Sequence, residues 1–468
     1  MKKLSILPRG TVCFCLVLFI SVAGCTGRQE KAKIAPQSAK ESGAGTTVVA
    51  TIPDDLKPPP ALPGHEPDPT LPGKSDSFQV AFSDSGSSVA YLAGKDNRFF
   101  VVHNQERGKE YPEIATIVLS PDGSRLAYGA HPDGNDRKWC MVVDGKEGKR
   151  YDTVLTPIFS PDGKHLLYQA KDADKWYIIV DGAPNQGTPA SYSPPLFSSD
   201  SSSIAYVESA ASIGDTRLIV TDLLFHKQRG RISIGDEVLV INKNRTRIAA
   251  VEAVKNKFRV IDLMFDKPDL FREGPLYDVI EQLTLSDDGR SISYCALKGG
   301  SRLIKLDDRE ELLPAGRAPE LPVIRPDKKG VGILLAENNR ISLHHCFING
   351  REKGKIYDEA STLTYGNDGS YAYAARTGKN WFVVVNGNEG PAFDKVVEPL
   401  FSPDGKHVAY RARKDGKRFV VLADTLAKTV AAHPPYEQVS RVKFTADGKS
   451  IAYGVKDGNR LAWKVAPL

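Results

Sequence analysis

The chain has 468 residues, of which 63 are Lys or Arg and 57 are Asp or Glu, so its formal net charge is +6 at pH 7. Lys2, Lys3 and Arg9 supply half of that excess. Nucleic-acid binding needs a concentrated basic surface, whereas the basic residues of this chain are interspersed with acidic ones. The composition therefore argues against a nucleic-acid partner and indicates a solvated surface of mixed charge.

Residues 1–24 have the pattern of an export signal. The basic start is followed by an apolar run over residues 11–22 and by the small residues Ala23 and Gly24. The run is too short to span a bilayer, and an ordinary secretion signal would make the following cysteine incidental. The sequence Val22-Ala-Gly-Cys25 instead resembles the lipobox of bacterial lipoproteins. That resemblance implies cleavage before Cys25, diacylglycerol on its thiol, and acylation of the new amino terminus.

Residues 25–76 are predicted to carry the lipid at Cys25 and then to form a disordered tether. The segment shows no hydrophobic period and becomes proline-rich from Pro53 to Pro72. Such a composition favours an extended linker that buries no core. A protein anchored through several acyl chains at Cys25 would stay on a membrane without a transmembrane helix.

Residues 77–468 contain ten variants of one phrase, clearest as Phe401-Ser-Pro-Asp-Gly-Lys-His-Val-Ala-Tyr410. A repeat of roughly 40 residues is typical of β-propeller blades. The last residue of the phrase falls at Tyr91, Tyr128, Tyr168, Tyr206, Ala250, Tyr294, Ile333, Tyr373, Tyr410 and Tyr453. Units five and seven, which end at Ala250 and Ile333, are degenerate but keep the spacing.

Each residue type in the phrase has a physical role. Pro161 presets φ for the first corner of a turn, Asp162 can hydrogen-bond the local backbone, and Gly163 accepts the positive φ that closes a hairpin. The apolar residues around the turn alternate as in a strand. A second run of aromatic and β-branched residues follows in most units. Trp139, Trp176 and Trp381 occupy the same position in this run, and we expect their side chains to pack between blades.

The repeats predict an all-β fold, a β-propeller of about ten four-stranded blades. The last unit lacks a fourth strand after Val465. We expect the segment just before Phe78 to supply that strand and so to protect the sheet edge. Ten units exceed the usual four to eight blades, so two smaller propellers in tandem are the alternative.

Candidate metal ligands are few. Cys13 and Cys15 lie in the signal, and Cys140, Cys295 and Cys346 are expected to be buried on strands. In His344-His-Cys346 only the first and third side chains share a strand face. The Asp-rich turns at 132–136 and 366–369 lack the spacing of a calcium loop. The sequence therefore predicts no metal, no cofactor and no catalytic residue, and Cys25 is the one site residue that it indicates.

The turns Ser120-Pro-Asp-Gly123, Ser160-Pro-Asp-Gly163 and Ser402-Pro-Asp-Gly405 resemble the WD-type repeats found in the propeller of TolB and in many bacterial envelope proteins. The resemblance implies a propeller that binds envelope proteins, among them a peptidoglycan-associated lipoprotein in the case of TolB. The matched residues are turn and core positions, so they indicate the fold more specifically than the function.

The functional prediction is a membrane-anchored, non-enzymatic scaffold with a protein or cell-wall partner. Thr26 follows Cys25 where Asp would signal inner-membrane retention, so the lipoprotein resemblance implies the periplasmic face of the outer membrane. The alternative is an envelope hydrolase or lyase with a site in the propeller channel. A nucleophile elbow Gly-x-Ser-x-Gly, which would favour a hydrolase, does not occur in the sequence.

Overall fold

The computed structural model describes residues 45–56, 79–133, 137–188, 191–209, 216–225, 228–234, 239–338, 340–346, 353–445 and 447–468. All regular elements within these ranges are β-strands, and they form ten antiparallel sheets. Each sheet is one blade of a β-propeller, which confirms the predicted fold class. The degenerate units five and seven form blades like the others.

Blades 1 to 5 follow one another along the chain. Blade 1 contains β2 (Val80–Phe82), β3 (Val89–Lys95), β4 (Arg98–His103) and β5 (Glu106–Arg107). Blade 2 contains β6 (Glu113–Leu119), β7 (Leu126–His131), β8 (Trp139–Val143) and β9 (Lys146–Tyr151). Blade 3 contains β10 (Thr153–Val154), β11 (Ile158–Phe159), β12 (Leu166–Asp172), β13 (Lys175–Val180) and β14 (Ala183–Pro184). Blade 4 contains β15 (Ser191–Tyr192), β16 (Leu196–Phe197), β17 (Ser203–Ser209), β18 (Thr216–Asp222) and β19 (Gln228–Ile234). Blade 5 contains β20 (Leu239–Ile241), β21 (Arg247–Val254), β22 (Lys257–Met264) and β23 (Lys267–Glu273).

Blades 6 to 10 repeat this arrangement. Blade 6 contains β24 (Val279–Leu285), β25 (Ile292–Lys298), β26 (Ser301–Leu306) and β27 (Arg309–Leu312). Blade 7 contains β28 (Ala318–Pro319), β29 (Val323–Ile324), β30 (Val331–Glu337), β31 (Arg340–Cys346) and β32 (Lys353–Tyr357). Blade 8 contains β33 (Glu359–Tyr365), β34 (Tyr371–Thr377), β35 (Asn380–Val385) and β36 (Asn388–Glu389). Blade 9 contains β37 (Lys395–Phe401), β38 (His407–Lys414), β39 (Lys417–Asp424) and β40 (Thr429–Ala432). Blade 10 contains β41 (Gln438–Val439), β42 (Lys443–Phe444), β43 (Ser450–Asp457), β44 (Arg460–Pro467) and, from the start of the chain, β1 (Thr46–Thr51).

The first strand of each blade lies at the inner edge of the ring. First strands of neighbouring blades contact one another, as β2 does with β6, β20 with β24, and β33 with β37. In blades 1 to 9 the later strands follow outward in sequence order, whereas the outermost strand of blade 10 is β1. The inner edges of the blades therefore surround the axis of the ring.

The hydrophobic core is divided among the interfaces between blades. The described residues form ten buried clusters, and each cluster joins two neighbouring blades. Alternate residues of one strand serve opposite interfaces: Ala90 and Leu92 face blade 2, whereas Val89 and Tyr91 face blade 10. Because every interface is packed, including those between blades 4 and 5, between blades 5 and 6 and between blades 10 and 1, the ring is single and the tandem alternative is excluded.

The ring is closed by β1, which is the outer strand of blade 10. It pairs antiparallel with β44, with Thr46 opposite Lys464 and Val48 opposite Ala462. The prediction that the last blade takes its fourth strand from the start of the chain is thus correct, but the segment that we assigned to this role was wrong. The strand lies at 46–51, inside the predicted tether, and not just before Phe78.

The closing segment is also part of the core. Ala50 and Ile52 are buried and pack with Leu461 of blade 10 against blade 1. The backbone N–H of Ile52 donates to the carbonyl of Asn459 at 2.7 Å. Residues 57–78, which include most of the proline-rich stretch, and residues 1–44 lie outside the described residues.

Candidate functional site

The polar residues that recur in the phrase form hydrogen bonds within the turn that the phrase encodes. In blade 3 the Ser160 hydroxyl donates to Asp162 Oδ1 at 2.6 Å and accepts the backbone N–H of His165 at 2.9 Å. Asp162 Oδ1 also accepts the N–H of Lys164, and Gly163 has a φ of 74°. The predicted roles of Asp162 and Gly163 are confirmed, and Ser160 has a further role in the turn that the sequence did not predict.

Two further sets of repeated carboxylates are also structural. Asp181, in the turn between the third and fourth strands of blade 3, accepts the N–H of Leu166 through Oδ1 and lies 2.6 Å from His165 Nδ1 through Oδ2. Asp152, at the entrance to the same blade, accepts the N–H of Ala173 at 2.6 Å. These side chains join neighbouring hairpins, so their repetition along the chain reflects folding.

The three tryptophans at the shared position have packing roles where the structure describes them. Trp139 packs against the cluster between blades 2 and 3, and Trp381 is buried between blades 8 and 9. The Lys395 ammonium lies 3.4 Å from the centroid of the Trp381 ring. Burial there lowers the pKa of Lys395. The Lys171 ammonium also lies over a tryptophan ring, 5.9 Å from the centroid of Trp176.

The cysteines and the adjacent histidines are distributed over the core. Cys140, Cys295 and Cys346 are buried free thiols, as predicted. Cys346 and His345 point to opposite sides of β31, because Cys346 packs toward blade 6 whereas His345 contacts Tyr365 of blade 8 at 3.0 Å. No group of three or more potential metal ligands occurs within the described residues.

The inner strands share an irregularity halfway along their length. Register shifts interrupt β6, β24, β33 and β37, and blades 3, 4, 7 and 10 have two short inner segments in place of one strand. A bulge of this kind removes a residue from the ladder and redirects its side chain. Gln282, Thr362 and Glu398 adopt a left-handed φ of 54°, 55° and 52° at this point.

At these interruptions, and at the equivalent position of blade 1, one residue of the blade lies at the inner edge of the ring. We call this set the collar; its members lie twelve positions before the last residue of the phrase, or eleven in unit eight. The described members are Gln79, Thr116, Thr156, Pro194, Gln282, Leu321, Thr362, Glu398 and Arg441. The residue that follows is buried in most of these blades, so the collar side chain is the one directed away from the core.

Charge is concentrated at one place in the described collar, where blades 9 and 10 meet. Arg441 Nη2 donates to Glu398 Oε1 at 2.6 Å, and its Nε donates to the same oxygen at 3.2 Å. Glu398 Oε2 accepts from Arg411 Nη2 at 2.9 Å. The Arg411 guanidinium is nearly buried, with 8% of the side chain exposed, and its Nη1 donates to the carbonyl of Val439 at 3.2 Å.

Two guanidinium groups thus share one carboxylate. Burial disfavours the ionised form of Glu398, but hydrogen bonds and charge attraction from Arg441 and Arg411 more than offset this and lower the pKa of the carboxyl group. The three side chains therefore carry a net charge of about +1 near neutral pH. Arg441 keeps 54% of its side chain exposed at the inner edge of the ring.

No motif in the sequence singles out Glu398, Arg411 or Arg441. A signal was present, because alignment of the ten units by their final residue puts charged residues at the collar position only in units nine and ten among the described blades. That position has no motif of its own, and its orientation depends on a bulge that the sequence does not reveal.

Cys25, the site residue that the sequence indicated, lies outside the described residues. The Asp-rich turn at 132–136 is described only in part, and there Asp133 pairs with Arg98. In the turn at 366–369, Asp368 accepts the N–H of Ser370. Within the described ranges, no helix is both long enough and apolar enough to cross a membrane.

Comparison with known proteins adds structural similarity only. No family model matches the chain, and no curated protein matches it. Among solved structures, TolB from Acinetobacter baumannii is 17% identical, with 60% of this chain and 79% of that chain covered and a TM-score of 0.30. An oligogalacturonate lyase in complex with manganese is 12% identical, with coverage of 74% and 96% and a TM-score of 0.36. The Dos1 propeller is 12% identical, with coverage of 82% and 90% and a TM-score of 0.35. Similarity at this level gives no basis for transferring a function.

Proposed function

We propose that this protein is a non-enzymatic binding scaffold of the bacterial cell envelope. It is anchored to a membrane by lipid on Cys25, and it binds a protein or cell-wall partner across the inner edge of its propeller. The collar is the observation that carries the proposal. Its side chains differ from blade to blade while the turn chemistry beneath them repeats. Variable side chains on a constant frame are the usual composition of a recognition surface.

The anchor and the ring would lie close together along the chain. Twenty residues separate Cys25 from the start of β1, and a fully extended chain of that length spans at most about 70 Å. The tether is therefore shorter than the sequence suggested. We place the ring at the periplasmic face of the outer membrane, because Thr26 follows Cys25 in the lipobox-like sequence.

The anchor is tested by replacing Cys25 with Ser and fractionating cells. The variant should be absent from the salt-washed membrane fraction, because the lipid attachment site is lost. Cys13→Ser is the control, since Cys13 lies within the predicted signal and its removal should not change the fractionation. A Cys25→Ser variant that still sediments with washed membranes would rule out the lipid anchor.

The binding surface is tested in native membranes with a photo-crosslinking amino acid. We expect crosslinks to a partner from the Thr156 collar position and not from Lys164, which lies in the turn of the same blade. Both positions are solvent-exposed, so the comparison isolates location. Equal yields from the two positions, or none from Thr156, would contradict binding across the collar.

A further inference from the structure

We infer that the junction of blades 9 and 10 is a carboxylate-binding site in which Arg441 receives an aspartate or glutamate side chain of a polypeptide partner. The inference deepens the proposed function and rests on it, because it names the chemistry of the ligand at the collar. It stands on the geometry of the cluster formed by Glu398, Arg411 and Arg441.

The cluster retains capacity for an anion. Arg441 uses Nε and Nη2 to bind Glu398, and the opposite end of its guanidinium, Nη1, makes no hydrogen bond among the described contacts. Glu398 is shared with Arg411, whose own Nη1 is directed to the Val439 carbonyl. An exposed guanidinium with a free N–H edge and a net positive environment is suited to a charge-assisted hydrogen bond with a carboxylate.

The surroundings select a singly charged group. The other described collar residues are uncharged, and several of them, such as Gln282 and Thr362, offer neutral hydrogen-bonding groups. A polyanion such as nucleic acid is held by several cations together, whereas the excess charge here is about +1. A polypeptide that presents one acidic side chain among neutral backbone groups matches this distribution.

The backbone fixes the direction of the Glu398 side chain. Glu398 holds a left-handed φ of 52° in the bulge of β37, a conformation that costs a non-glycine residue about 1 kcal/mol or more. The same bulge in β24 places Gln282 in the left-handed region without any charge cluster on its side chain. The bulge therefore presents collar side chains generally, and at Glu398 it fixes the carboxylate that orients Arg441.

The test uses the full chain and two fluorescein-labelled decapeptides, one of alternating Gly and Glu and one of alternating Gly and Gln, with binding followed by fluorescence anisotropy. The Glu peptide should bind the wild type and the Gln peptide should not. Arg441→Gln should weaken binding of the Glu peptide at least about tenfold, as expected when a charge-assisted hydrogen bond is removed.

Lys406→Gln is the matched control, because Lys406 is a basic residue of blade 9 with 77% of its side chain exposed in the turn. It should leave the affinity unchanged. Arg441→Lys, which keeps the charge, should retain more affinity than Arg441→Gln, and melting temperatures of all variants identify any loss of folding. Acetate at matched carboxylate concentration should compete poorly; competition equal to that of the unlabelled peptide would overturn the polypeptide assignment.

Equal binding of the Glu peptide by wild type and Arg441→Gln would overturn the site itself, as would a wild type that binds neither peptide. The proposed function is judged separately by the Thr156 crosslink. If that crosslink forms with equal yield in the Arg441→Gln background, the scaffold function stands and the carboxylate site does not.

Discussion

Blade 3 and blade 10 have the same strand order but different origins. All strands of blade 3 come from one continuous stretch, whereas blade 10 takes its outer strand, β1, from a segment nearly four hundred residues away in the chain. The turn chemistry is the same in both: Ser160 binds Asp162 in blade 3, and Thr445 binds Asp447 in blade 10, each at 2.6 Å. The difference lies only in the outer strand.

This comparison separates what stabilises a blade from what closes the ring. A blade is specified by local hairpins, because each strand pairs with its neighbour in sequence. Closure requires one long-range pairing that the repeat cannot encode, so the closing strand must carry its own pairing and packing information. Thr46-Thr-Val-Val-Ala-Thr51 does so through β-branched residues and through the buried Ala50.

Deletion of residues 46–51 should have the largest effect. It exposes the edge of β44 and removes Ala50 from the cluster between blades 10 and 1. We expect a lower melting temperature than for any point variant described below, measured by circular dichroism. Deletion of residues 31–36, which has equal length and lies before β1, is the control; equal losses from both deletions would mean that β1 does not close the ring.

A second test compares a turn glycine of blade 3 with a turn glycine of blade 1 that packs against blade 10. Gly86 and Gly163 occupy the same turn position and have φ values of 70° and 74°. A Cβ on Gly86 would lie 2.1 Å from the ring of Trp463 in blade 10, whereas a Cβ on Gly163 would lie 3.5 Å from Ser120.

Gly163→Ala should therefore cost about 1–2 kcal/mol from the left-handed backbone alone. Gly86→Ala should cost a further 1–3 kcal/mol or so, because Trp463 must move. Chemical denaturation measures both. Equal costs would show that blades 1 and 10 are not in contact as described.

The smallest expected difference between the two blades concerns the shared turn chemistry. Ser160→Ala and Thr445→Val each remove a hydroxyl that accepts a backbone N–H and donates to an Asp. Each should lower the free energy of unfolding by about 1–2 kcal/mol, with similar values in blade 3 and blade 10. A difference of several kcal/mol between the two would contradict the equivalence of the turns.

The sequence predicted the elements whose chemistry is local. Pro, Asp and Gly in the turns indicated hairpins, and the spacing indicated ten blades, including the degenerate ones. Where the turn glycine is missing, Ser201, Arg245 and Lys328 adopt positive φ values of 61°, 51° and 58°. A positive φ has a conformational cost for these non-glycine residues. The hairpins form nevertheless, because neighbouring blades hold them in place.

The sequence predicted less where structure depends on distant pairing. β1 lies within a segment that has no hydrophobic period, so its partner on β44 could not be identified from local pattern. The collar was missed for a related reason: whether Glu398 or Arg441 faces the core or the ring axis is set by bulges and by the neighbouring blade. Cys25 was indicated by a local motif, and it remains a prediction.

The central structural claim, closure of one ring by β1, is tested most directly by a cross-strand disulfide. Thr46 lies opposite Lys464, and the Lys464 ammonium donates to Thr46 Oγ1 at 2.8 Å, so paired cysteines at these positions meet the distance needed for a disulfide. The three native thiols that the structure describes do not compete, since Cys140 is buried and its pKa is raised to about 11 by that burial, and Cys295 and Cys346 are also buried.

Under mild oxidation, the Thr46→Cys, Lys464→Cys double variant should form an intramolecular disulfide in nearly all molecules, identified by peptide mass spectrometry. Ser77→Cys with Lys464→Cys represents closure by the segment before Phe78 and should form none. A disulfide in the second pair and not in the first would contradict closure by Thr46–Thr51.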